Sequence, residues 1–262
     1  MRENLTRARL QRGLPVFGAW ATLSDPAVAE MIGYAGYHFV ILDMEHVPNG
    51  LMTIERMIRA CEISGVTSIV RVPDANPKTI LRVLDSGAEG VMVPHVVSAT
   101  DARDAVAACR YPPVGARGAS PTARATRYSF TPFTEYTRHA DREVLVVAMV
   151  EDREAVGQAP AILATPGLDV VFVAPYDLAG SYGALDRPND QQVAGAFETF
   201  VAASRQDGAA ILGMPAGHGM VTRSIAELLG AGVRFIPTAF DVALLAGALR
   251  QDVAVWSRRP NS

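Results

Sequence analysis

A chain of 262 residues with 49% hydrophobic and 19% charged residues has enough apolar material for a sizeable core, which excludes a disordered or low-complexity chain. Its 24 basic residues against 27 acidic ones give a formal net charge of -3, so there is no basic excess for a phosphate backbone and no nucleic-acid partner is expected. Two cysteines, Cys61 and Cys109, cannot build a multi-disulfide framework, the apolar runs stop short of the ~18 residues of a membrane span, and Met1-Arg2-Glu3-Asn4 resembles no signal peptide; a soluble, cytoplasmic protein is expected.

In chain order, short apolar runs rich in Val, Ile and Phe fall at residues 15–20, 38–43, 67–72, 90–94, 144–150, 169–174, 209–214 and 232–237. Runs without polar alternation are the signature of parallel strands covered on both faces. Between them lie helix starts with a capping side chain: Ser24-Asp25-Pro26, Asn76-Pro77, Ser98 and Thr222. Eight strand and helix units in this length predict one (β/α)8 barrel over residues 1–262. A doubly wound open sheet is the alternative, but the turn after the first run reads Ala19-Trp20-Ala21-Thr22, without the Gly-rich phosphate loop of that fold. The longest connection, 95–143, contains an irregular stretch, and its 110–133 portion is expected to help shape the substrate site.

A barrel gathers its chemistry at the carboxyl ends of the strands. There the sequence offers Asp43-Met44-Glu45-His46, Arg71, Glu151-Asp152-Arg153-Glu154, Pro175-Tyr176-Asp177 and His218. Glu151 and Asp177 end adjacent strands and can converge on one hard cation; they also suit the first turns of helices, where the dipole favours acids. Asp43, Glu45 and His46 form either an acid/base cluster or a solvated turn. Arg71, in an apolar strand, requires an anionic partner, which an internal carboxylate or an anionic substrate would supply. The one lysine, Lys78, opens a helix rather than ending a strand, which disfavours Schiff-base chemistry, and neither a GxSxG turn nor a Cys/His zinc spacing is present. His38, His95 and His139 read as structural histidines, with His95, after Pro94, the most open to another role.

The segments ILDMEH (41–46), IVRVP (69–73), LDSGAEGVMVPHV (84–96), RYPPVGARG (110–118), MVEDREA (149–155) and VFVAPYDLAGSYG (171–183) resemble, in order and over nearly the whole chain, the metal-dependent pyruvate aldolases of the 4-hydroxy-2-oxoheptanedioate and 2-dehydro-3-deoxyglucarate aldolase family, within the citrate lyase β-subunit superfamily. The resemblance implies a phosphoenolpyruvate/pyruvate-type barrel and reversible cleavage of 4-hydroxy-2-oxo acids to pyruvate, or an analogue, and an aldehyde. It implies Glu151 and Asp177 as ligands of a divalent cation, Mg, Mn or Co with Zn as a further option, and His46 with Asp43 as an acid/base dyad. Arg71 would contact the substrate oxo group, and the amides around Ala174, Pro175, Tyr176 and Asp177 would receive the carboxylate. Glu45 would act through water, and Asp85 would hold neighbouring groups in place.

Two departures from the family pattern are Met149, where Gln is often found, and Ala174, where Gly is common. The resemblance also implies a homo-oligomer, a hexamer with residues 240–256 exchanged between subunits. Rival readings are an oxaloacetate decarboxylase or citrate-forming enzyme on the same site, and a non-catalytic keto-acid-binding barrel.

Overall fold

The computed structural model describes residues 2–187, 190–216 and 223–257. The first half runs α1 (Leu5–Gln11), β1 (Val16–Ala21), α2 (Pro26–Tyr34), β2 (Phe39–Asp43), α3 (Leu51–Ser64), β3 (Thr67–Arg71), α4 (Pro77–Asp85), β4 (Gly90–Val93) and α5 (Ala99–Cys109). The second runs α6 (Phe133–Glu143), β5 (Leu145–Val150), α7 (Arg153–Val156), α8 (Ala159–Leu163), β6 (Val170–Val173), α9 (Pro175–Ser181), α10 (Gln191–Ala203), β7 (Ile211–Gly213), α11 (Ile225–Gly230), β8 (Phe235–Phe240) and α12 (Asp241–Ser257). Neighbouring strands are all parallel and β8 pairs back to β1, so the sheet closes into an eight-stranded barrel with helices between the strands. A closed barrel leaves no sheet edge, and the open-sheet alternative is set aside.

The anticipated caps hold: Asp25, Asn76 and Ser98 each accept a backbone N–H in the first turn of α2, α4 and α5. For α11 the cap is Ser224, which forms a capping box with Glu227; Thr222 lies outside the described residues. Alternate residues of each strand separate two cores. Inside the barrel sit Val16, Trp20, Phe39, Ile41, Ile69, Met92, Val147, Met149, Phe172 and Phe235; between barrel and helices lie Val40, Leu42, Val70, Val91, Val146 and Val171 with the inner helix faces. Burial of each large interior side chain contributes about 1.5–3 kcal/mol. Phe39 stacks on Phe235 with centroids 4.1 Å apart, and a Cβ at Gly18 would run into the Phe39 ring, so only glycine fits beside that pair.

Connections after strands open at the carboxyl mouth, and those after helices lie at the opposite end. The long connection follows α5, and it accordingly packs at the amino-terminal end: Arg124 pairs with Glu62 near the end of α3 and donates to the Ser86 carbonyl, and Arg117 pairs with Asp85. Within one chain this corrects the expectation that residues 110–133 border the mouth. The final helix differs from the rest. Among its described residues only Asp241 is buried, accepting from the Thr22 and Leu23 amides at 2.9 and 2.8 Å, while Leu244, Leu249 and Trp256 are exposed. Among the described residues no helix is long and apolar enough to cross a membrane.

Candidate active site at the carboxyl mouth of the barrel

The register of β2 and β3 places Asp43 opposite Arg71. The pairing is bidentate: Arg71 Nε donates to Asp43 Oδ1 at 2.9 Å and Nη2 to Oδ2 at 2.7 Å, with both side chains buried. Arg71 Nη1 also lies 3.1 Å from Glu45 Oε2, and its guanidinium covers the Trp20 ring at 4.4 Å from the centroid. The internal carboxylates therefore meet the need that a buried guanidinium creates.

Hydrogen bonds to Asp43 shape the turn after β2. Asp43 Oδ1 accepts the Glu45 amide at 2.9 Å, and Asn49 Nδ2 donates to the Asp43 carbonyl at 2.9 Å. Glu45 consequently points inward, whereas the His46 side chain stays 61% exposed at the rim. The carboxylate nearest His46 is Glu45, at 3.9 Å from Nε2; Asp43 gives both oxygens to Arg71.

Across the mouth, Glu151 follows β5 and is buried. Its Oε1 accepts the His95 amide at 2.7 Å, and His95 Nδ1 lies 3.4 Å from the same oxygen. Burial pushes the Glu151 carboxyl up to about 7; the His95 amide and charge oppose that shift, and the charges of Asp177 and Glu45 add to it. His95 shifts upward too, chiefly through its hydrogen bond to Asp152 at 3.1 Å. Glu45, His95 and Glu151 each direct a ligand atom into one spot, all within 4.8 Å of one another. Glu45 Oε2 is sealed from solvent without an aligned hydrogen-bond donor. Two inward carboxylates and an imidazole, one carboxylate reluctant to ionise alone, fit a divalent cation.

Asp177 is exposed on the first turn of α9, outside that compact triad but near enough for its charge to act on Glu151. Ala174 and Pro175 are buried and Tyr176 is half-buried; the first intrahelical bond of α9 runs from Leu178 N–H to the Ala174 carbonyl at 3.1 Å, so the Tyr176 and Asp177 amides precede it. Within one chain Asp85 does not join this assembly. It ends α4 at the opposite end of the barrel and binds Arg117 at 2.8 Å. Lys78 is exposed on the first turn of α4, and His218 lies outside the described residues. The histidine that reading by residue type left among the structural ones, His95, stands in the cluster; the signal for it was its place directly after β4, the same rule that selected Glu151. Met149 and Ala174 join Trp20 and Phe172 in the apolar floor beneath.

Known proteins match the chain along most of its length. The model of the HpcH/HpaI aldolase/citrate lyase family covers residues 16–248. The chain belongs to this family. It is 35% identical over 244 residues to a pyruvate aldolase of Rhizobium etli, covering 93% of each chain. It is 34% identical over 247 residues to a 4-hydroxy-2-oxo-heptane-1,7-dioate aldolase of Escherichia coli, covering 94% of this chain and 92% of that one. A solved HpcH/HpaI aldolase/citrate lyase family protein from Burkholderia cenocepacia superposes with a TM-score of 0.90 at 32% identity, over 97% of this chain and 99% of the other. In this HpcH/HpaI member the motifs that carry the resemblance, around Asp43, Arg71, His95, Glu151 and Asp177, fall at one end of the barrel, with the exception of Asp85 and the RYPPVGARG segment.

Proposed function

We propose that this HpcH/HpaI member is a divalent-metal-dependent aldolase that cleaves 4-hydroxy-2-oxo acids to pyruvate, or a pyruvate analogue, and an aldehyde, and runs the reverse condensation. The observation that carries the reading is the opposition, across one mouth, of a buried guanidinium on Asp43 and a carboxylate and imidazole cluster around Glu151. Glu151 would hold the cation with Asp177, and Glu45 and His95 are positioned to complete or brace that set. When bound, the cation would supply Lewis-acid stabilisation of negative charge on the substrate.

The chain's own groups do the rest. Arg71, fixed by Asp43 and Glu45, presents a preorganised positive charge to the same oxygen, which in cleavage becomes an enolate. The amides of Tyr176 and Asp177, ahead of the first bond of α9, face a carboxylate favourably. His46, exposed at the rim, accepts the proton of the 4-hydroxyl as the C3–C4 bond breaks and the aldehyde leaves, and Asp43 and Glu45 hold the turn that carries it. The apolar floor of Trp20, Met149 and Phe172 excludes water from below.

Assembly belongs to the same reading. A helix that leaves Leu244, Leu245, Leu249, Val253 and Trp256 exposed suits burial against another subunit, with residues 240–256 exchanged in a hexamer of 27.9 kDa chains. The experiment that tests the activity is an aldehyde panel with pyruvate and added Mg or Mn, products identified by mass, alongside oxaloacetate alone and with acetyl-CoA. New carbon–carbon bonds from pyruvate and an aldehyde support the aldolase; decarboxylation or citrate formation without aldol products overturns it.

A further inference from the structure

The amino-terminal end of the barrel holds a cavity of about 370 Å³, remote from the mouth, walled by the N-terminal segment, the end of α3, the turn between α4 and β4, the long connection and α6. Small-molecule sites run from about 300 to 1,000 Å³. Most of the charge around it is already spent. Arg2 is bound to Glu89 and the Val66 carbonyl, Arg124 to Glu62 and the Ser86 carbonyl, and Arg59 to Glu55 and the Tyr128 hydroxyl. Arg127 differs: it is exposed at the cavity, and its side chain makes no hydrogen bond or ion pair with any described residue.

The backbone there is held in an unusual conformation. Arg127, Tyr128 and Ser129 have φ of 53°, 54° and 74°, three successive left-handed residues without a glycine. A Cβ crowds the following carbonyl oxygen in this region, so each such residue is disfavoured. Buried Thr126 fixes the turn, donating to the Pro121 carbonyl at 2.7 Å and accepting the Ser129 amide at 3.3 Å. Strain of this kind collects at ligand clamps, and here its result is that Arg127 and Tyr128 line the cavity together with the Tyr136 ring.

We propose that this cavity is a second ligand site that binds a small organic monocarboxylate with a planar apolar body, its carboxylate on Arg127 and its body against Tyr128 and Tyr136. The guanidinium fork matches two carboxylate oxygens. Among the described residues Arg127 is the one arginine of the lining whose side chain has no partner, and a single carboxylate matches it, whereas the second charge of a phosphate would face Glu62, Glu89 and Glu143 along the same wall, the last of these accepting only the Asn4 amide. Two aromatic side chains favour a flat body.

Benzoate is a suitable probe, with benzamide as its uncharged counterpart, titrated calorimetrically into the full-length metal-free protein. Saturable benzoate binding is expected, with none for benzamide. Loss of a charge-assisted hydrogen bond costs about 1.5–3 kcal/mol, so Arg127→Ala should weaken benzoate about 10- to 100-fold. Arg127→Lys, which keeps the charge and loses the fork, should fall between, and it serves as the second variant if the alanine protein does not fold. Unchanged affinity in both variants, equal binding of benzamide, or no saturable binding to the wild type would each overturn the proposal.

Discussion

Arg71 and Asp43 are register partners on adjacent strands, and their side chains meet in two parallel hydrogen bonds of 2.9 and 2.7 Å in the interior of the barrel mouth. A pair so placed is costly to break from one side, because the survivor remains a buried charge. Asp43→Ala should therefore destabilise the fold by about 3–5 kcal/mol in urea unfolding. Glu45 offers Arg71 a second carboxylate at 3.1 Å, so the lower end of that range is expected. A loss below about 1 kcal/mol would mean that solvent or Glu45 replaces Asp43 entirely.

The cation should be removable. EDTA should abolish activity and Mg, Mn or Co restore it, since carboxylate-rich ligation leaves positions open to solvent and substrate. Glu151→Gln should weaken metal binding at least ~10-fold with the fold retained. Comparison of Asp177→Asn with His95→Ala then separates two ligand sets that share Glu151: the one that raises the metal dissociation constant more identifies the partner. Because Glu151 carries its proton up to about 7, proton and metal compete, and metal affinity should climb as pH rises toward that value and level off above it. Affinity that is flat across this range would show that Glu151 does not lose a proton on binding.

A separate pH effect belongs to the opposite end of the barrel. Burial and the charge of Arg9 lower the pKa of His38 from 6.5, while its Nδ1 accepts the Phe17 amide at 3.1 Å. The native state thus prefers neutral His38, and below pH 6.5 the unfolded chain binds more protons. Its contribution to stability is complete above the unfolded value and declines as pH falls through the lowered native one. The ring is half-exposed, so the effect is under about 1 kcal/mol. His38→Gln, which keeps an acceptor and does not titrate, should flatten the dependence in urea melts between about pH 7.5 and about pH 5.5. An unaltered slope would assign the acid sensitivity to other groups.

The barrel was legible because buried parallel strands leave uninterrupted apolar runs, and all eight became strands, within a residue or two at each end except for the last. Strand β7 is only Ile211–Gly213, and β8 is Phe235–Phe240 rather than 232–237. Its shift has a cause: the register between β1 and β8 slips after Gly18 and Pro237, so the strand continues past a proline that reads as a stop. Arg71 was legible as a buried cation, though not which carboxylate it would choose, since that depends on strand register. The role of His95 was hidden because residue type alone does not separate a packed imidazole from one turned toward a carboxylate; its φ of 54° is a backbone fact. Asp85 was named by the family resemblance and the long connection by its length, and within one chain both lie at the other side of the barrel, where α4 and α5 end.

The roles of His46 and Arg71 can be told apart by two reactions that share an enolate. Decarboxylation of oxaloacetate needs stabilisation of that charge but no base at a 4-hydroxyl, whereas aldol cleavage needs both. His46, exposed and bound among the described residues to no group more closely than the 3.9 Å to Glu45, is placed to serve the second task alone. His46→Ala should therefore slow aldol cleavage by a factor on the order of 10² while leaving decarboxylation largely intact. Arg71→Ala removes a preorganised donor common to both and should cost each about 3 kcal/mol of transition-state stabilisation, read as kcat/KM on the two substrates. That variant also strands Asp43, so its folded fraction must be measured alongside, and Arg71→Lys, which keeps the charge but not the fork, should recover part of both rates. Equal slowing of both reactions by His46→Ala would make His46 an orienting group rather than the base, and decarboxylation spared by Arg71→Ala would move Arg71 to the aldehyde half of the site.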